Sequence, residues 1–401
     1  MKTKLLFSLL FLMIASTNHA DTPTARLINE GGLRIFHAVE KQNKGNLCLS
    51  PYSIQAALAM AYTGAKDSTK TQMAVGLDFP DDPAELAGGF QKLDAALGAS
   101  IERGGKDTSL HIANRLFGAA GFKFRPAFLE LLKQQFSAPL EELDFQKNPS
   151  AAADLINQWV EKQTEKRIRN LIPTNALDKT TTLVLVNALY LKIPWAEEFA
   201  TAATQNLPFL VSGRGKADVP TMSRTDKFGY SELMGFQAVG VPLRGGQYQF
   251  LILLPGSPDA SEPPSSGLLE KCAALPRRDV SLFLPKFKLE PPTISLADAL
   301  KSLGIKAAFD IPEGSANFDG MAPRKPDDYL YLSDVFHKTF FALDENGVEA
   351  AAATAVVMMR ATSMPVQQDP IEVRVDRPFF FAIQHIPTST CLFFGRITDP
   401  Q

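Results

Sequence analysis

From residue 183 onward the apolar residues of this chain change their period, and that change restricts the fold more than any other feature. Seven runs (183–192, 248–254, 280–284, 336–343, 371–375, 379–386 and 391–397) are rich in β-branched and aromatic residues and bounded by Pro or Gly, the signature of strands. The residues before them read as helix. Ser50-Pro51 is a helix start, with a hydroxyl able to cap a free N–H and Pro at the first helical position. Residues 54–62 are dense in Ala and Met and predict a buried helix ending at Gly64. A second long helical pattern covers 151–172. Residues 256–267 (GSPDASEPPSSG) are a surface loop by composition, and no internal repeat is present. Helices first and strands later predict an α+β fold around one large sheet-based core.

Length alone, 401 residues, suggests two or three domains. With 45% hydrophobic residues there is enough apolar material for a large core. The net charge of −2 carries no basic excess or stripe, so nucleic acid is not an expected partner. Lys2 and Lys4 precede an apolar run over 5–15, and a polar stretch ends at Ala20, which predicts a secretory signal over 1–20. That run is well short of the roughly 20 residues needed to cross a bilayer, and no later stretch is long and apolar enough. The mature chain is therefore expected to be soluble and exported, extracellular or, in a bacterium, periplasmic, with no membrane partner. Cys48, Cys272 and Cys391 are too few for a disulfide framework, and their odd number leaves at least one thiol unpaired. Cys48 and Cys391 sit among apolar neighbours and read as small buried hydrophobes.

Motifs for catalysis are missing. His19, His37, His111, His337 and His385 form no HExxH pair, and no two cysteines have CxxC spacing. There is no GxSxG elbow, and Gly105-Lys106 is followed by Asp107 where a phosphate loop needs Ser or Thr. Glu141-Glu142 and Glu197-Glu198 read as solvated helix faces. No catalytic residue, metal ligand or cofactor is predicted, and the chain is not expected to be an enzyme.

Residues 46–73 (NLCLSPYSIQAALAMAYTGAKDSTKTQM) resemble the N-terminal signature of the serpins, a family of serine protease inhibitors. Further matches follow in the family's order: Ala113-Asn114-Arg115-Leu116-Phe117, Asn157-Gln158-Trp159-Val160, and Leu185-Val186-Asn187-Ala188-Leu189-Tyr190 with Trp195 and Phe199. Leu284-Pro285-Lys286-Phe287-Lys288, Leu303-Gly304-Ile305, Ser333-Asp334-Val335-Phe336-His337-Lys338 and Phe394-Gly395-Arg396 complete the set. The resemblance implies one domain over 21–401, against the length argument, with three β-sheets, about nine helices and an exposed reactive-centre loop at about 345–370. It also implies a mechanism: a protease cuts the loop, which then inserts as a new strand in the large sheet. The implied partner is a serine protease, held in a covalent 1:1 complex by a monomeric inhibitor without a cofactor.

Residues 345–364 read ENGVEAAAATAVVMMRATSM. By composition alone this alanine run favours a helix. Strand parity offers a second reading, because Val348, Ala350, Ala352, Thr354, Val356 and Met358 share one face and none is charged. Glu349 falls on the other face. No Pro interrupts 348–359, so every N–H is available to a central ladder. By resemblance the hinge comprises Glu345, Gly347, Val348, Ala350, Ala351, Ala352, Ala353 and Thr354, with Glu345 placed to pair with Lys286. Ser50, Ser53, Asn187 and His337 would form a structural cluster under the sheet, with Trp195 near the entry point. Counting seventeen residues from Glu345 places the reactive bond at Ala361-Thr362 and suggests an elastase- or subtilisin-like target. A hinge shorter by one selects Arg360 and a trypsin-like protease, and Met359 would suit a chymotrypsin-like one. The chain departs from the family pattern at Val348, where Thr or Ser is commonest, and at Asn346, usually charged. Lys166 stands where Gly is usual, and Ile193-Pro194 replaces a usual Gly before Trp195. A non-inhibitory member, acting as a chaperone or carrier, is the alternative function.

Overall fold

The computed structural model of the protein describes residues 23–257, 262–349 and 369–401. Helix α1 (Pro23–Glu40) and strand β1 (Leu47–Leu49) lead into α2 (Pro51–Gly64), α3 (Asp67–Leu77) and α4 (Pro83–Arg103). Then come β2 (Ser109–Ala119), α5 (Pro126–Phe136), β3 (Glu141–Leu143) and α6 (Pro149–Gln163). Strands β4 (Leu183–Pro194), β5 (Gln205–Val211), β6 (Gly215–Leu233), β7 (Phe236–Pro242) and β8 (Tyr248–Pro255) follow. After them lie α7 (Ser266–Cys272), β9 (Arg277–Pro285), β10 (Phe287–Leu289), β11 (Ile294–Ser295) and α8 (Ala297–Ser302). The chain closes with β12 (Leu332–Thr339), β13 (Phe341–Asp344), β14 (Gly347–Val348), β15 (Ile371–Arg374), β16 (Phe379–His385) and β17 (Thr390–Ile397).

The α+β class holds. The described residues form eight α-helices and two hydrogen-bonded sheet networks, one of nine strands and one of eight. Two strand groups merge in the larger network because β6 pairs with β5 and β9 over 215–229 and with β7 over 229–233. In the smaller network β4 is central, bordered by β2 on one side and by β12 and β14 on the other.

Both faces of β4 are buried, which is why it reads as an almost unbroken apolar run. Leu183, Leu185, Leu189, Leu191 and Ile193 point into the main core, which also holds the buried face of α2. Val184, Val186, Ala188 and Tyr190 point the other way, into a second core closed by Ile156 and Val160 of α6. Helix α2 starts as its sequence predicts: the Ser50 side chain accepts the Ser53 N–H, and Pro51 occupies the first turn.

The helix expected over 151–172 ends at Gln163. The Thr164 hydroxyl donates to the Val160 carbonyl at 2.8 Å and accepts the Ile168 N–H at 3.2 Å. Glu165 and Lys166 then adopt left-handed φ values of 49° and 63°. Ile168, Leu171 and Ile172 still bury their side chains against the sheet, so the apolar period outlasts the helical backbone. Glu141-Glu142 lies on β3 and Glu197-Glu198 in the segment after β4; neither pair is on a helix. All three cysteines are buried and unpaired, and burial pushes the Cys48 and Cys272 thiols up to about 12.

Candidate functional site

The eight-stranded sheet is closed at one end and open at the other. Along its lower part β12 pairs in parallel directly with β4, from Leu332 opposite Leu183 to Thr339 opposite Leu189. Above that point the strands separate and β14 lies between them. Gly347 and Val348 pair antiparallel with Asp344 and Leu343 of β13 on one side, and with Pro194 and Ile193 of β4 on the other. The first residues of the alanine-rich segment therefore already occupy the position of a central strand.

Each residue at this mouth has a distinct physical role. Gly347 has φ of 144°, and a Cβ there would sit 2.5 Å from Pro194 Cα and 2.6 Å from the Ile193 carbonyl oxygen, so only glycine fits. Val348 is 1% exposed and packs in the main core, so the branched side chain is accommodated where a smaller polar one is usual. Glu349 falls on the opposite face, as parity requires, and is left-handed at φ of 46°. That face is not open water. Burial raises the Glu349 carboxyl, and Arg167 Nε meets Oε1 at 2.6 Å to offset it. Pro194 costs the ladder nothing: its carbonyl accepts the Arg244 N–H at 2.8 Å, away from β14, while Trp195 N–H donates to the Asn346 carbonyl at 3.0 Å.

The turn before β14 is anchored twice. Lys286 Nζ lies 2.7 Å from Glu345 Oε2, and the Thr204 hydroxyl donates to Oε1 at 2.7 Å. Burial works against the Glu345 charge, but these two bonds hold its carboxyl below the usual range. The indole N–H of Trp195 donates to the Asp344 carbonyl at 2.8 Å, and its ring packs edge-on against Phe199 and Phe250.

Beneath the closed part of the sheet a polar network is sealed from water. Ser50, Ser53, Asn187 and His337 are all 0% exposed. The Ser50 N–H donates to His337 Nε2 at 3.2 Å, which leaves the ring proton on Nδ1, facing Asn187 Oδ1. Asn187 Nδ2 donates to Ser53 Oγ at 2.6 Å and to Asn114 Oδ1 at 2.7 Å, and the Ser53 hydroxyl donates to the same Asn114 oxygen at 2.7 Å. Burial lowers the His337 pKa to about 3, so the ring is neutral in the folded protein. The network joins α2, β2, β4 and β12, the elements on both sides of the strand boundary that β14 splits above.

Asn114, Arg167 and Thr204 were not singled out from the sequence. Asn114 stands in a motif quoted above and, 73 residues before Asn187, lies opposite it in the β2–β4 register. Arg167 and Thr204 lie in irregular segments that carry no comparable signal. Ala350, Ala351, Ala352, Ala353 and Thr354, the candidate bonds at Met359, Arg360, Ala361 and Thr362, and residues 1–20 lie outside the described residues.

The model of the family described as serpin (serine protease inhibitor) matches residues 26–400. Leukocyte elastase inhibitor of Sus scrofa is 36% identical over 385 residues, covering 92% of this chain and 97% of the relative. A highly specific serpin of the insect Tenebrio molitor superposes with a TM-score of 0.82 at 29% identity, covering 95% of this chain and 99% of that one. Human thyroxine-binding globulin, solved in complex with thyroxine, superposes with a TM-score of 0.81 at 28% identity, covering 94% of this chain and 98% of that one. With nearly the whole chain matched, and Gly347 and Val348 lying between the strands of an opened sheet, the chain belongs to the serpin family of serine protease inhibitors.

Proposed function

We propose that this serpin is inhibitory and traps a serine protease as a covalent 1:1 complex. The protease attacks the Ala361-Thr362 bond, forms an acyl-enzyme, and is carried along as residues 348–359 insert between β4 on one side and β13 and then β12 on the other. Glu345 and Gly347 serve as the hinge, Lys286 and Trp195 hold the entry point, and Ser50, Ser53, Asn187 and His337 control separation of the strands below. The observation that supports this reading best is the position of Gly347 and Val348, already paired on both sides at the top of the sheet. A small residue at Ala361 suits a protease with a shallow specificity pocket, elastase-like or subtilisin-like. The similarity to a leukocyte elastase inhibitor favours the same class. Cleavage at Arg360 would instead select a trypsin-like enzyme. Export is part of the proposal and rests on Lys2, Lys4 and the apolar run behind them.

Mixing the full chain with elastase and, separately, with trypsin tests the reading. The expected result is a complex with elastase that survives denaturing electrophoresis, with mass spectrometry placing the cut after Ala361. Cleavage in 345–370 without any such complex would overturn it. That outcome would favour a carrier role, the reading suggested by the likeness to thyroxine-binding globulin.

A further inference from the structure

Behind the turn that follows α6 lies a pocket of about 370 Å³ that the insertion mechanism does not use. Five cations line it, Lys166, Arg167, Arg169, Lys288 and Lys338, against the single carboxylate of Glu290. In a chain of net charge −2 this is a local concentration, not a reflection of composition. Buried Thr339 and Phe340 form its floor. Lys288 is taken by Glu290, with Nζ to Oε1 at 2.5 Å. Arg169 Nε donates to the Lys166 carbonyl at 3.1 Å, and Lys338 Nζ donates to the Arg169 carbonyl at 2.8 Å. Among the described residues no carboxylate forms an ion pair with Lys166, Arg169 or Lys338. Lys166 is held at this rim in a left-handed conformation that glycine would adopt without strain.

One wall of the pocket belongs to the hinge. Arg167, lying over the Phe340 ring at 5.9 Å, is the partner of Glu349 at the end of β14. The basic cluster therefore already takes one carboxylate from the hinge side.

We propose that this pocket binds an oxyanion, a phosphate or sulfate group, and that the bound anion competes with Glu349 for Arg167. Oxyanions match the donor set, because guanidinium and ammonium groups converge on a half-enclosed pocket with a shortage of counter-charge. Losing its partner leaves Glu349 as a partly buried unpaired charge, which favours withdrawal of β14 from the sheet mouth. The effect on inhibition rests on the insertion mechanism proposed above, whereas the binding site does not.

The test is calorimetric titration of the full chain with inorganic pyrophosphate and, separately, with a sulfated disaccharide, at matched ionic strength. Saturable binding is expected, weakened about tenfold or more by Arg169→Glu or by Lys166→Glu, since each removes a charge-assisted contact and adds a repulsive one. Both residues are exposed, so folding is not at stake. Binding that is absent, or unchanged in both variants, overturns the site. Comparable affinity for the two probes supports a general oxyanion site, and binding of only one assigns its source. Hinge release is read from Trp195 emission in a Trp159→Phe background, where it is the sole tryptophan. The anion should shift that emission, and Arg167→Gln, which leaves the Glu349 charge without its partner, should shift it without the anion. Binding with no shift overturns the competition, while failure to form a protease complex leaves the calorimetric result standing.

Discussion

Gly347 is the position where a single atom decides the geometry. Its φ of 144° and the 2.5 Å that would separate an alanine Cβ from Pro194 Cα make alanine incompatible with the paired position of β14. Gly347→Ala is expected to expel β14 or to strain the strands around it, at a cost on the order of 1–3 kcal/mol. Denaturant unfolding would show the loss, and Trp195 emission would show the displacement, because Trp195 is bonded to both Asp344 and Asn346. Equal stability and an unchanged spectrum would mean that the close approach is not a constraint. From the sequence Gly347 is a source of backbone freedom, and only the neighbouring strand shows that it is also a matter of space.

At the scale of elements, β14 is a two-residue strand in a slot that the proposed mechanism fills further. Each added ladder bond is worth about 0.5–1.5 kcal/mol net. Insertion of 348–359 after cleavage should therefore raise the melting temperature by on the order of 10 °C or more. Heating the intact and loop-cleaved protein side by side checks this, and equal melting points would favour the carrier reading. Val348→Arg tests the same slot from its entrance. A guanidinium in place of a side chain that is 1% exposed would have to enter the main core. The variant should be cleaved as a substrate rather than trap the protease, seen as a rise in the number of inhibitor molecules consumed per protease inactivated. Unchanged inhibition would count against insertion.

For the whole molecule, two buried histidines make stability depend on pH. Burial lowers His337 to about 3 and His385 to about 4, whereas both titrate near 6.5 when unfolded. A depressed histidine favours the fold fully above pH 6.5, and that contribution falls as pH drops, because the unfolded chain takes up a proton that the folded chain refuses. Each contributes a slope of about 1.4 kcal/mol per pH unit down to its folded pKa. Asp94 acts in the opposite sense: burial raises its carboxyl to about 6, so it favours the fold more as pH falls below that value. The clean measurement is thus a difference. His385→Gln, whose amide reaches the place of Nε2 and can keep the bond to Ser100, should show an acid-induced loss shallower than the native chain's by about 1.4 kcal/mol per unit between pH 6.5 and 4. Parallel stability curves for the two proteins would refute the assignment.

Local chemistry was enough to place α2, β4, β8, β16 and β17, because each carries a cap, a proline or a dense apolar run that needs no partner to be recognised. The same local logic overran α6 by nine residues, since Ile168, Leu171 and Ile172 bury side chains from a non-helical backbone. It also passed over β5 and β6, where exposed and buried residues mix irregularly, and over β2 and β7, whose residues are all buried or half-buried, so that none of the four shows a clear two-residue period. Parity alone assigned Val348 to the core face and Glu349 to the other, because a strand's alternation is a property of its own backbone. Sequence could not supply the depth to which Gly347 and Val348 enter the sheet, the Arg167 partner of Glu349 or the convergence of five cations behind α6. Those depend on residues distant in sequence meeting across a split in one sheet, and only the packed tertiary structure decides where that split lies.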